Sequence, residues 1–521
     1  MIYDAITVGG GIAGLTAAAY LADQGFQTLL LERAETTGGL LAGIKREGFT
    51  FDRGAKVFEN QGIIIPMLRN LGLDGQLRFI ENRVCMQIKD RQVVLSEADG
   101  PERLGEVLAS YFPEDTEAIA RIVALLNTVR ADMSVIFSLD HPLFLEDNTI
   151  KGSDYLREVL LPWLAEYQQS EMSMARLTSD VHRYLGQYTG DEALVDMLTQ
   201  HVFRGTPTYF ALSHFGYYPE SIYPEGGTSR LPEVLTEAAA NRGAEIRTQA
   251  EVVEIDPGRK RVITADGAIY HYKKLIWAAD QRKMYRALQA ASTPASSIQT
   301  WQVELGHGSE SYLSLLLALD RDPADLNGLA PHTFYSASTE GVSSLLKRRP
   351  GYSKDWEERL ERYLRLTTYE ISCPVLRDPA LAPTGKTGLI VSTIMDHRLV
   401  ADLEARGEYV RFKALCERII PEVLGAELLP GLEEELRFAD LLTPLDYAET
   451  SGSLDGAVAG FSFAARTLPV EKRYTKIIRS IDTAVDDIWQ CGQWVFSPGC
   501  VATSILTGKL AADQAAKTLK Q

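Results

Sequence analysis

Cysteine is scarce in this 521-residue chain, with five residues and no Cys-x-x-Cys pair. That excludes a paired-cysteine zinc site or a disulfide framework and suits a reducing compartment. Histidine is scarce too, at eight, and none are spaced His-x-x-x-His; no metal partner is expected. Positive charge is in deficit. A formal net charge of −17 disfavours nucleic acid as a partner and gives no electrostatic help on anionic lipid. Apolar residues make up 45% of the chain, yet no run approaches the length of a membrane-spanning helix. Internal repeats and low-complexity tracts are missing. Met1 stands directly against the first apolar run, so no leader peptide is expected. What remains is a cytoplasmic protein, or one held peripherally at a membrane by apolar contact alone. Its length leaves room for two or three domains.

What is present begins at once. Ile6-Thr7-Val8-Gly9-Gly10-Gly11-Ile12-Ala13-Gly14 is followed by a second apolar run, Thr28 to Leu31, that ends on Glu32. This reads as strand, glycine turn, helix and strand ending in an acid, the arrangement that holds a dinucleotide. Gly9 permits the tight turn, Gly11 lets the backbone approach the diphosphate, and Gly14 lets the helix pack close to the strand. The helix N-terminus offers free N–H groups and a positive dipole end to the phosphates. Glu32 can accept hydrogen bonds from ribose hydroxyls and would repel a 2′-phosphate. Ala13 and Arg33 complete this part of the expected cofactor-binding set.

Downstream, Ser229 to Asn241 has helical spacing and Gly243 stops it. Short strands are predicted at 245–247, 252–255 and 262–265, with turns at Asp256-Pro257-Gly258 and Asp266-Gly267. A buried strand runs from Leu275 towards Asp280. Near the C-terminus, Ile488 to Gln490 reads as a strand running into Cys491 and Gly492, and Pro498-Gly499-Cys500-Val501-Ala502 leads into a helix. Between these pieces, Pro101 to His201 is rich in helical periodicity. A second insertion, roughly Ser296 to Tyr474, mixes strands (313–319, 389–393) with amphipathic helices such as Trp356 to Leu366.

Thr37-Gly38-Gly39-Leu40-Leu41 followed by Phe49-Thr50-Phe51-Asp52-Arg53-Gly54-Ala55 resembles the second glycine signature of amine oxidases, protoporphyrinogen oxidases and phytoene desaturases. By that resemblance, Gly38, Gly39, Leu40 and Leu41 lie near the diphosphate and ribityl chain, and Gly54-Ala55 lies beside the flavin ring. Leu40 and Leu41 stand where relatives often carry Arg. Val252 matches a valine that meets adenine through its backbone. Gly492, Val501 and Ala502 match the segment that approaches the ribityl chain and the flavin pyrimidine edge. Gln493 replaces an acid of many relatives, and Cys500 a glycine.

Tyr223-Pro224-Glu225-Gly226-Gly227 and Asp378-Pro379-Ala380-Leu381-Ala382-Pro383-Thr384-Gly385 narrow the likeness. They resemble the Tyr-Pro-x-Gly-Gly and Asp-Pro-x-x-Ala-Pro-x-Gly segments of the phytoene desaturase, carotenoid isomerase and retinol saturase family. The resemblance implies an α/β fold of the amine-oxidase flavoprotein type. A glutathione-reductase-like, Rossmann-type FAD-binding domain is expected from 1–75, 225–295 and 475–521. A mixed α+β substrate domain with a helical subdomain is expected from 76–224 and 296–474. It also implies FAD and a long apolar isoprenoid or polyene substrate that is desaturated, saturated or isomerised. An amine-oxidase-type enzyme on a polar amine, and a prenyl-lipid binder resembling Rab GDP-dissociation inhibitors, remain as alternatives. No catalytic acid or base is identified. Arg53, Glu225, His214 and Tyr223 lie in or near matched segments, but packing or solvation is the simpler reading of each. The same holds for Cys491 and Cys500 as packing residues.

Overall fold

A computed structural model describes residues 1–145, 154–290, 306–346, 355–465 and 468–521. The expected boundary between 295 and 296 lies outside the described residues. Strands Glu245–Arg247, Thr28–Leu31, Ile2–Val8, Ile269–Trp277 and Ile488–Gln490 pair in that order, all parallel. Arg261–Thr264 and Val252–Asp256 extend the sheet antiparallel from Ile269–Trp277.

Both faces of this sheet are covered, which is why its strands read as unbroken apolar runs. Ala5, Leu30 and Ile276 face helices Ile12–Asp23, Arg230–Asn241 and Val501–Leu519. Ile6, Leu29, Leu31 and Leu275 face the opposite way, towards Met284, Tyr285 and Leu288 on helix Gln281–Ala290. Helices Ile12–Asp23 and Val501–Leu519 are rich in alanine because they press together: a Cβ on Gly508 would stand 2.4 Å from the Ala13 carbonyl oxygen.

A second sheet has the order Leu436–Leu442, Ser311–Leu319, Thr387–Met395, Thr368–Ser372, His332–Ser336, Val84–Ile88, Arg91–Val94. Its pairings are antiparallel except His332–Ser336 on Val84–Ile88. Tyr335, Tyr369 and Ile371 point into a core shared with helices Trp356–Leu366 and Tyr409–Glu427. The two-residue period of a strand sends His332, Phe334 and Glu370 to the other face. Helices Gly100–Tyr111, Thr116–Ile136, Leu161–Met174 and Thr208–Tyr217 pack on that side around Met86 and Phe334.

The two units are stitched together by a hairpin, Ile44–Arg46 with Phe49–Phe51. It belongs by sequence to the expected FAD-binding segment 1–75, yet Phe49 and Phe51 are buried in the second sheet's core. Both sit edge-on to Phe438, at 5.7 and 6.3 Å between ring centroids.

Candidate active site

The C-terminal ends of the parallel strands open onto a cavity of about 460 Å³. All the expected cofactor-binding residues line it except Gly14 and Ala502, which lie just behind the wall. Gly9 has φ +107°, and a Cβ there would stand 2.8 Å from the Ala278 carbonyl oxygen. Gly14 seats its helix on the turn, since a Cβ would stand 1.9 Å from the Gly9 carbonyl oxygen. Gly11 differs: its φ is −75°, and a Cβ would meet nothing within 4 Å.

Opposite Gly11 runs the second glycine turn. Gly38 donates its N–H to the Gly10 carbonyl at 2.8 Å, and a Cβ on Gly39 would approach the Gly11 Cα to 3.3 Å. No side chain caps helix Ile12–Asp23, so its first N–H groups are left for a ligand. Glu32 accepts from the N–H groups of Gly10 (2.5 Å) and Ala34 (2.7 Å), and each carboxylate oxygen keeps a lone pair for a ribose hydroxyl. Arg33 spans the cavity edge and donates to the carbonyls of Glu449 and Thr450, tying that segment down. Val252, Gly492 and Val501 line the same cavity. An open groove flanked by glycines, free N–H groups and an acid fits a dinucleotide. A flavin bound in it supplies a two-electron acceptor.

Past the glycines the cavity changes character. A Cβ on Gly54 would stand 2.4 Å from the Leu40 carbonyl oxygen, so this floor is closed by backbone. The Gly54 carbonyl accepts from Lys56 Nζ at 2.7 Å. Beyond stand Phe203, Phe210, Tyr218, Tyr312 and Phe334, with His201, His214 and His332 among them. Ring centroids lie 4.9 Å apart for His201–Phe334, 5.2 Å for His332–Phe334 and 5.3 Å for Phe210–His214.

Charge is concentrated in the same chamber. Burial alone would raise the Glu370 carboxyl, but Lys56, a hydrogen bond from His332 Nε2 (3.0 Å) and His201 hold it down at about 2. Burial lowers Lys56, with Glu370 opposing. It also lowers His332, His201 and His214, the last two to about 4. Glu59 goes the other way: burial raises it to about 7, and Glu370 adds to the shift.

Of the other sequence candidates, Arg53 and His214 line the cavity, and His214 sits in the last turn of helix Thr208–Tyr217. Tyr223 and Glu225 do not line it. Tyr223 is buried and donates to Asp52 (2.8 Å), while Glu225 is half-exposed near Arg78. The two family-like segments brace each other: the Gly226 N–H donates to Asp378 Oδ2 at 2.8 Å. Asp52 also accepts from the Thr228 N–H and hydroxyl, both at 2.8 Å. Cys491 and Cys500 line the cavity, and burial raises both thiols. Sequence reasoning passed over Lys56, Glu59, His201, His332 and Glu370. The available signal was an ionisable residue inside an otherwise apolar run, as in Lys56-Val57-Phe58-Glu59 and Thr368-Tyr369-Glu370-Ile371. Among the described residues no group of His, Cys, Asp and Glu is arranged to hold a metal ion.

A sequence profile for flavin containing amine oxidoreductases matches residues 12–516. The chain is 20% identical over 533 residues to the 4,4′-diapophytoene desaturase (4,4′-diaponeurosporene-forming) of Staphylococcus aureus, covering 99% of each. It is 24% identical over 478 residues to the zeta-carotene-forming phytoene desaturase of Myxococcus xanthus, covering 88% of this chain and 84% of that one. Among solved structures it resembles cyclohexylamine oxidase from Brevibacterium oxydans, with a TM-score of 0.61, 12% identity and full coverage of both; at that identity the likeness shows the fold. With the profile matching nearly its whole length, the chain belongs to the flavin-containing amine oxidoreductase family and is an FAD-dependent oxidoreductase.

Proposed function

We propose that the protein removes hydrogen from a long apolar isoprenoid or polyene drawn from a membrane surface. The aromatic chamber carries this reading: Phe203, Phe210, Tyr218, Tyr312 and Phe334 wall the space that continues from the flavin groove. Such walls hold a hydrocarbon by apolar burial, worth about 25 cal/mol per Å². The names of the desaturase relatives point to the same chemistry. In this reading fourteen of the sixteen cofactor residues named from sequence hold FAD, with Gly14 and Ala502 packed behind them, adenosine towards Glu32 and Val252 and the ring towards Gly54 and Val501.

Access through the helical subdomain is supported by its surface. Leu156, Leu161, Leu164 and Met172 are exposed on the helical stretch from Tyr155–Leu160 into Leu161–Met174. Trp163 anchors this stretch by donating to the Val135 carbonyl at 2.8 Å. Helix Thr116–Ile136, which carries Val135, packs against Thr208–Tyr217, whose Phe210 and His214 line the cavity. No helix among the described residues is long and apolar enough to cross a membrane, so attachment is peripheral in this reading. Apolar attachment of a chain with net charge −17 resists salt.

Flotation with neutral liposomes at low and high salt tests attachment, and anaerobic bleaching of the flavin by 4,4′-diapophytoene or by cyclohexylamine tests the substrate. Salt-resistant flotation and bleaching by the polyene are expected. Bleaching by the amine alone would replace this reading with the amine-oxidase one.

A further inference from the structure

The chamber beside Gly54 and Ala55 holds more ionisable groups than a hydrocarbon needs. Lys56 is only 2% exposed, and His332 likewise. Burying an ion costs several kcal/mol unless it is paired, and a polyene offers no partner. Glu370 and His332 account for each other through a hydrogen bond from the imidazole, while Lys56, whose ammonium donates to the Gly54 carbonyl, is the largest charge acting on Glu370. Glu59 has no such company. It ends the short strand Phe58–Glu59, lines the same cavity, and receives no hydrogen bond from any side chain among the described residues.

We propose that Glu59 exchanges the proton with the reacting carbon chain, in a chamber whose other charges are fixed by the Lys56–Glu370–His332 cluster. The inference rests on the polyene reading above and deepens it. Two carboxyl groups in one cavity are driven apart, Glu370 to about 2 and Glu59 to about 7. Such a divergence marks one as a permanent charge and the other as the acid–base group. The groups facing Glu59 do not titrate near neutrality. Tyr217 and Tyr218, at the end of helix Thr208–Tyr217, and Tyr312 on strand Ser311–Leu319 are pushed up by burial, as is Cys500 before the last helix. Glu370, held down by Lys56 from Glu59's own stretch of chain, stays ionised.

Desaturation removes two hydrogens from adjacent carbons. One would leave with its electron pair as hydride, for which a flavin held in the glycine groove would supply the two-electron acceptor. The neighbouring C–H bond then gives its electron pair to the new double bond, and its proton passes to the Glu59 carboxylate and on to solvent. Glu59 must therefore be ionised at the start.

The test uses the holoenzyme, 4,4′-diapophytoene in neutral liposomes, and no oxygen. The wild-type bleaching rate is expected to rise with pH and level off above about 7. Glu59→Gln, nearly isosteric, is expected to keep its flavin, bleach at least about 100-fold more slowly and lose the pH limb. Glu59→Asp is expected to restore the limb. A readout without turnover is the infrared carboxyl band of the resting enzyme, expected to titrate near 7 in the wild type and to be missing in Glu59→Gln. A bleaching wild type matched in rate and pH profile by Glu59→Gln overturns this inference alone, as does a Glu59 carboxyl already ionised at about pH 5. A wild type that stays yellow with the polyene overturns the proposed function, and the inference with it.

Discussion

Gly11→Val separates cofactor binding from folding. Gly11 is extended, at φ −75° and ψ 178°, so valine adopts its backbone without strain. Its Cβ would meet no protein atom within 4 Å, so the added methyl groups enter the groove and not the core. As the N-cap of helix Ile12–Asp23 it loses a tolerated residue for a poor one, at a cost of about 1 kcal/mol. The ligand loses more. A diphosphate passing over this turn takes charge-assisted hydrogen bonds worth about 1.5–3 kcal/mol each. Losing two amounts to about 3–6 kcal/mol, or roughly 100- to 10,000-fold in affinity. The purified variant should show a native circular-dichroism spectrum, a melting temperature near that of the stripped wild type, and no flavin absorbance. Gly14→Ala is the contrast, because its Cβ would stand 1.9 Å from backbone at Gly9. It should lose stability before affinity can be measured. A folded Gly11→Val protein with full flavin content would refute the placement of the diphosphate.

Further outcomes follow from the thiols and from Glu370. Burial raises both Cys491 and Cys500, which keeps them protonated and poor nucleophiles, so acid precipitation should release all the yellow colour into the supernatant. Colour left in the pellet and lost in Cys500→Ser would show a covalent link. Glu370 is held at about 2 against an ordinary 4.5, so its contribution to stability is complete above 4.5 and is lost as pH falls towards 2. Thermal melts of Glu370→Gln should therefore fall less steeply than wild type across that window, and parallel curves would argue against the His332–Glu370 pairing and the Lys56 charge beside it.

The cradle was legible in the sequence because its parts are local. Gly9, Gly11 and Gly14 act within one turn, and the acid closes the next strand. Helices ending at Asn241 and starting at Val501, and the strands around Leu313 and Leu389, followed from periodicity alone. The chamber was not legible, because His201, His332 and Glu370 reach it from separate elements. Alternation tells that His332 and Phe334 share a face, but not that the face looks onto a flavin. The segments at Tyr223 and Asp378 carried the family likeness, and what they build is a brace: Gly226 on Asp378, and Asp52 under Tyr223 and Thr228. Strong sequence signal there reflects buried polar groups that must all be satisfied, which constrains residue choice as tightly as chemistry does.

The hairpin strand that carries Phe49 and Phe51 has a mechanical consequence. It continues directly into Asp52–Ala55, so the floor beneath the expected ring position is an extension of a strand anchored in the other unit's core. Prising the units apart would pull both phenylalanines into water, at about 1.5–3 kcal/mol apiece. From these two residues alone, a gap between the units would be populated in about one molecule in 100 to 10,000. A floor pinned from both sides favours sorting guests by how they thread into the bore.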